Sequence, residues 1–201
     1  MSITSSQPRV RDWLTQLVSG QPHQIIGGPD DPYLLRWYVI PRNPWLNVYV
    51  HKFMRSDDDR ALHDHPWWFV SLMLRGGYVE ISETAEGNLT ALSRIAPDWS
   101  RLWVHRGLGW RALAFRRATY RHRVKLIPAV EHSNPFIGRR DRREQPAWTL
   151  VITGPRRRLW GFWCSPPDDA INSATADLGL PDPADRFVPW QEWGSAGCGE
   201  A

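Results

Sequence analysis

Short apolar segments separated by turn residues run through the chain from residue 33 to residue 164. Residues 47–54 alternate between two faces, as a half-buried strand does. Residues 67–74 form a run of apolar and aromatic side chains that ends at Gly76 and Gly77, where a tight turn can form. About ten such strands with turn residues between them predict an all-β sandwich or jelly roll.

The two ends of the chain have different patterns from the middle. Residues 11–18 place apolar side chains on one helical face, which predicts a short helix that ends at Gly20. Residues 165–201 are rich in proline and aspartate and predict an irregular tail. The chain therefore divides into a helical lead-in (1–32), a β-barrel (33–164) and a C-terminal tail that packs on the barrel (165–201).

Length and composition indicate one globular domain. The 201 residues are 42% hydrophobic, which is enough to enclose a core. No apolar run approaches the ~20 residues that a membrane span requires, and residues 1–11 lack a signal pattern. We therefore expect a cytoplasmic protein with no membrane partner. Two isolated cysteines, Cys164 and Cys198, predict free thiols and no disulfide framework.

The charge of the chain comes mainly from arginine. All but two of the 25 lysine and arginine residues are arginine, and the formal net charge is +4. Guanidinium groups match carboxylate and phosphate geometry, so the excess suggests an anionic ligand. Ordinary surface solvation and the codon usage of a GC-rich genome are the alternative explanation.

A histidine pair gives the clearest chemical signal. His63 and His65 are two residues apart, so on an extended backbone both side chains leave the same face and can converge on one metal ion. Asp64 lies between them and should point to the opposite face. The pair precedes the apolar run 67–74, so the sequence predicts a metal site at the opening of a buried strand.

The spacing around this pair resembles the first motif of the cupin superfamily. After His65 come three residues, then Phe69, then six more residues and Gly76. The usual cupin motif has this spacing, with a glutamate ligand at the position of Phe69. The sequence of residues 33–164 also resembles small bacterial and prophage cupin-like proteins, which generally carry no assigned activity.

The second cupin motif is matched only at its histidine. His122 follows at the usual distance of about fifty residues. Arg117 and Thr119 stand where that motif has proline and glycine, and Leu126 replaces its asparagine.

The resemblance implies a cupin-type jelly roll, also called a double-stranded β-helix, with His63, His65 and His122 as metal ligands. The missing glutamate is similar to the three-histidine cupins, such as the thiol dioxygenases. The implied cofactor is a divalent transition metal, with iron(II) favoured and zinc, manganese or nickel as alternatives. The implied activity is an O₂-using oxygenase (a dioxygenase) that acts on a small anionic metabolite, and cupins commonly form homodimers.

Other side chains are candidates for catalysis and substrate binding. Glu80 could serve as a fourth ligand or a general base, and His51 as a base or pocket wall. The run 57–59 is interpreted as a solvated aspartate turn. The candidates for the substrate pocket are Arg36, Arg116, Trp67 and Phe69.

Two other functions stay open. An isomerase or epimerase of a sugar-type substrate would need a base beside the metal, for which the chain offers only His51 and Glu80. A non-catalytic protein could instead bind nucleic acid or a partner protein through the arginine-rich segments 139–143 and 156–158.

Overall fold

The computed structural model describes residues 10–57, 61–84, 87–97, 111–128, 144–164 and 186–192. These residues form one helix, α1 (Val10–Val18), and twelve strands. The strands are β1 (Gln24–Ile26), β2 (Leu34–Tyr38), β3 (Asn47–Phe53), β4 (Leu62–His63), β5 (Phe69–Arg75), β6 (Gly77–Glu83), β7 (Leu89–Ile95), β8 (Leu113–Arg116), β9 (His122–Leu126), β10 (Ala147–Thr153), β11 (Gly161–Cys164) and β12 (Arg186–Pro189). No helix among the described residues is long and apolar enough to cross a membrane.

The strands form two six-stranded antiparallel sheets. The first sheet has the order β1-β2-β3-β10-β5-β8, and the second has the order β12-β11-β4-β9-β6-β7. The chain changes sheet with every strand from β3 to β6 and again from β7 to β10, and between these two runs the step from β6 to β7 stays within the second sheet. This order of eight strands in two facing sheets is the jelly roll, and it confirms the prediction of an all-β double-stranded β-helix.

Alternation of side chains along the strands builds the interior. In β3, β5 and β10 every second residue is buried, which is the period of a sheet with one face on a core. One buried cluster contains Met73, Tyr78, Val124 and Leu126. A second buried cluster, toward the other end, consists of Tyr38, Tyr49, Phe69 and Val151.

The turn predicted at the end of the apolar run joins β5 to β6. Gly76 has a φ of +73°, and a Cβ atom at this position would lie 2.7 Å from the carbonyl oxygen of Pro146. Only glycine meets both conditions without strain. The turn carries the chain from β5 in the first sheet, where Phe69 lies, to β6 in the second sheet, where Glu80 lies.

Several local predictions differ from the structure. The helix begins at Val10, one residue before the predicted start, and β1 was not predicted. In the C-terminal segment, β12 pairs with β11, although the division of the chain at residues 32 and 164 stays a prediction. Cys164 is disulfide-bonded, so the prediction of a free thiol there is wrong. The arginine-rich segment 139–143 lies outside the described residues.

Candidate metal centre

One short strand pairing in the second sheet and one backbone hydrogen bond bring the three histidines together. His63 on β4 is the direct cross-strand partner of His122 on β9. His65 follows β4, and its backbone N–H donates to the carbonyl oxygen of Ala118 at 3.1 Å. One ligand nitrogen from each histidine lies within 4.8 Å of the other two. The predicted ligand residues therefore form one group.

The nitrogen positions are close to those that a single ion requires. The Nε2 atoms of His65 and His122 are 2.8 Å apart. Two imidazole nitrogens bound to one ion at about 2.1 Å each, at right angles, would lie about 3 Å apart. The ring of His63 lies 4.8 Å from the ring of His122 and 5.2 Å from that of His65, between centroids. The donor set fits a divalent transition metal.

Burial keeps the imidazoles in the form that binds metals. It lowers the pKa of His63 to about 4, although the nearby Asp57 carboxylate opposes this shift. Burial also places the pKa of His65 well below its usual value, and the neighbouring His122 adds to that effect. Both rings are neutral at pH 7, so their nitrogen lone pairs are available to an ion.

Glu80 supports the group from behind His122. The Glu80 side chain is 2% exposed, and its Oε1 lies 2.9 Å from Nδ1 of His122. A carboxylate at Nδ1 keeps the proton on that atom and leaves Nε2 free to face the other two histidines. Glu80 itself lies outside the three-histidine group.

Two arginines hold Glu80 in its ionised form. Arg116 donates from Nη2 to Oε2 at 2.5 Å and from Nε to Oε1 at 3.3 Å. Arg94 places Nη1 3.7 Å from Oε2. Burial raises the pKa of Glu80, but hydrogen bonds from His122 and Arg116 outweigh it and lower that pKa to about 2. A carboxylate held in this way is a poor proton acceptor. The guanidinium of Arg116, which was a candidate for the substrate pocket, is bound to Glu80.

Two aspartates flank the histidine pair in different ways. Asp57 Oδ2 lies 3.9 Å from Nδ1 of His63 and accepts from the backbone N–H of Val124 at 2.6 Å. The Asp57 side chain is only 12% exposed, so the prediction of a solvated turn is wrong at this residue. Asp64 points away from the ligands, as predicted, and accepts hydrogen bonds from Arg158 Nη1 at 2.5 Å and Trp163 Nε1 at 3.1 Å.

Phe69 occupies the position at which cupins usually have a carboxylate. Its buried ring lies 4.8 Å from the ring of His65 and 5.8 Å from that of His122, between centroids. The ligand group therefore has an apolar wall and no carboxylate. Trp67, the other aromatic candidate for the pocket, is partly buried and packs against the second buried cluster, which contains Tyr49 and Phe69.

Arg36 and His51 form a separate pair in the first sheet. They are cross-strand partners on β2 and β3, and Arg36 Nε donates to His51 Nε2 at 2.8 Å. Burial and the Arg36 charge hold the pKa of His51 well below its usual value. Arg36 also donates from Nη1 to Gln24 Oε1 at 3.0 Å. Neither residue belongs to the ligand group.

Arg94 is the residue of this site that the sequence pattern did not reveal. It lies on β7, is 1% exposed, and donates to the carbonyl oxygens of Arg111 at 2.8 Å and Ala112 at 2.9 Å. An arginine in a strand of mixed polarity normally indicates a solvent-facing position. Nothing in the local sequence distinguishes Arg94 from such a residue.

A surface cleft of about 520 Å³ opens beside the metal centre. Its lining includes the ring of Tyr120, whose centroid is 5.3 Å from that of His122. Arg116 also lines it, with its guanidinium carbon 4.5 Å from the Tyr120 ring centroid. We call it the arginine cleft and define it by six residues: Glu83, Phe115, Arg116, Arg117, Tyr120 and Arg121.

Neither a protein-family model nor a curated protein matches the sequence. Among solved structures, Fe(II)-HppE with an alternative substrate, (S)-1-HPP, shares 14% identity at a TM-score of 0.40, with 65% of this chain and 55% of that chain covered. A Klebsiella pneumoniae protein with a double-stranded β-helix domain shares 13% identity at a TM-score of 0.40, with 67% and 88% covered. The hydroxypropylphosphonic acid epoxidase from S. wedmorenis, in complex with fosfomycin, shares 14% identity at a TM-score of 0.37, with 60% and 51% covered.

These likenesses are too distant to assign an activity, and the match spans only about half of the epoxidase chain. The order of the strands establishes the fold by itself. His63, His65 and His122 converge in this fold. This chain therefore folds as a double-stranded β-helix and contains a three-histidine group that can hold a divalent metal.

Proposed function

We propose that this protein is a metal-dependent enzyme, specifically an Fe(II) oxygenase that acts on a small anionic metabolite. The observation that carries the proposal is the convergence of three imidazole nitrogens within 4.8 Å, with no carboxylate among them. An all-imidazole ligand set leaves a divalent ion with its full double charge, which favours an anionic substrate. Three protein ligands also leave coordination positions open.

In this proposal each residue around the ion has a physical task. His63, His65 and His122 hold the ion, and Glu80 fixes the ring of His122. Phe69 keeps water from one side of the ligand group. Bound iron(II) would supply the redox and O₂ chemistry that side chains cannot perform.

The isomerase or epimerase hypothesis receives less support. Such an enzyme needs a base that accepts a proton near neutral pH. Glu80 has a pKa of about 2 and is bound by Arg116. His51 has a pKa well below its usual value and accepts a hydrogen bond from Arg36. Neither candidate base is poised for that chemistry.

The nucleic-acid or partner-protein hypothesis also loses part of its basis. In the described segment 156–158, Arg158 is bound to the buried Asp64. Arg156 and Arg157 are exposed and are the only residues of that segment left to contact phosphates. The homodimer and the cytoplasmic location stay predictions.

Metal content measured by elemental mass spectrometry tests the proposal first. We expect near-stoichiometric metal after reconstitution of the parent chain, and almost none in the His63→Ala, His65→Ala double variant. The matched control is His23→Ala, because His23 contacts Tyr38 and Trp13 and lies outside the group. The control should load as the parent does.

Oxygen consumption then tests the reaction. The iron-loaded parent should consume O₂ in the presence of at least one compound from a panel of small carboxylates, thiols and phosphates. The double variant should consume none. Failure of the parent to load iron, manganese, nickel or zinc would refute the metal centre. Full iron loading without turnover of any compound would refute the oxygenase.

A further inference from the structure

The arginine cleft carries more positive charge than its own carboxylates neutralise. Arg121 pairs with Glu83 at 2.9 Å. Arg116 shares the buried Glu80 with Arg94. Arg117 lines the cleft and is exposed, and no described carboxylate lies within salt-bridge distance of it. Among the described residues, four arginines in and behind the cleft therefore face two carboxylates.

The composition of the lining indicates which ligand would bind. Guanidinium groups pair with phosphate oxygens through parallel N–H···O hydrogen bonds. A phosphate ester is close to doubly negative at pH 7, which balances the excess charge better than a single carboxylate does. Phe115 is 58% exposed, and Tyr120 lies in the same lining, so an apolar surface adjoins the cations.

The size of the cleft suits a small molecule. Its volume of about 520 Å³ lies within the range of about 300–1,000 Å³ that is typical of ligand pockets. We propose that the arginine cleft is a binding site for a small organic molecule that carries a phosphate dianion. Arg117 supplies the guanidinium that has no carboxylate partner among the described residues, and Phe115 and Tyr120 contact the organic part.

Phosphate binding in the cleft requires no metal, so it can be measured on the metal-free protein. Isothermal titration calorimetry at constant ionic strength would use phenyl phosphate, inorganic phosphate and acetate as probes. We expect one saturable site, with phenyl phosphate bound most tightly and acetate most weakly. Arg117→Gln should weaken phenyl phosphate binding about tenfold or more, because a charge-assisted hydrogen bond is lost.

Arg11→Gln is the matched control, because it removes the same charge from an exposed position on α1, far along the chain from the cleft. It should bind phenyl phosphate as the parent does, and both variants should keep the parent's melting temperature. Equal losses in the two variants, or none in Arg117→Gln, would overturn the site.

A single-stranded oligonucleotide separates the small-ligand proposal from binding of a polymer backbone. We expect it to bind no more tightly than phenyl phosphate. Tighter binding that Arg117→Gln abolishes would assign the cleft to nucleic acid and overturn the proposal. These results are independent of metal content, so failure of the cleft and failure of the metal centre are distinguishable.

Discussion

Glu80 Oε1 lies 2.9 Å from His122 Nδ1, at the centre of a buried chain of charged groups. On one side of the carboxylate is the histidine that faces the other two ligands. On the other side are Arg116 and Arg94. Carboxylates that accept from the outer nitrogen of a metal-binding histidine fix the ring and raise its basicity. We therefore propose that Glu80 positions His122, in place of the ligand or base role that the sequence suggested.

Glu80→Gln should weaken metal binding by about 10- to 100-fold, the usual effect of removing a carboxylate behind a ligand histidine. Glutamine keeps the size of the side chain and an acceptor oxygen but loses the negative charge. Competition with a chromophoric zinc chelator would measure the dissociation constant. Glu83→Gln is the control, because Glu83 lies on the same strand and pairs with Arg121 away from the histidines. Equal affinity of the parent and Glu80→Gln would contradict the positioning role.

Metal removal should destabilise the folded chain. A ligand that binds only the folded state adds about 4 kcal/mol at a free concentration 1,000 times its dissociation constant. The urea midpoint of the parent should therefore rise when zinc replaces EDTA in the buffer. His65→Ala should lose most of this increase, whereas His23→Ala should retain it. An increase of equal size in His65→Ala would mean that zinc binds elsewhere.

Phe69→Glu should make folding more dependent on metal. The substitution places a carboxylate beside His65 and His122, where cupins usually have their glutamate ligand. Without metal, a buried carboxylate is costly, so the melting temperature should fall. With metal, the extra ligand should tighten binding. Phe69→Gln is the control, and it should show the destabilisation without the tighter binding. Metal affinity equal to that of Phe69→Gln would contradict this geometry.

Stability of the metal-free chain should fall as the pH drops below about 6.5, the pKa of histidine in unfolded chains. The buried His51 has a pKa well below that value in the folded state. In this range the unfolded chain binds a proton that the folded chain does not, so acid favours unfolding. His51→Gln keeps an acceptor for Arg36 and removes the titrating group.

Urea unfolding in EDTA at pH 7.5, 6.5 and 5.5 would measure this effect. Below pH 6.5 the slope of the free energy of unfolding should be smaller in His51→Gln than in the parent, by up to about 1.4 kcal/mol per pH unit. The two chains should have the same slope above pH 7. Identical slopes at low pH would show that His51 is protonated in the folded chain.

The sequence determined the fold class and the three ligand candidates. Alternating apolar positions, such as those of β3 and β5, require one face of each strand to meet a core. The two-residue spacing of His63 and His65 places both rings on one face of an extended chain. These are local properties of the backbone, so they are visible without a tertiary structure.

Only the tertiary structure decided what surrounds the histidines. Glu80 meets His122 because β6 pairs with β9, and Arg94 reaches Glu80 from β7. Burial then makes Asp57 and Arg94 part of the site, although their local sequence indicates solvent-facing residues. Such contacts join residues that are far apart in the chain. They depend on which strands become neighbours and on the loss of water around the charges, and no local pattern encodes either.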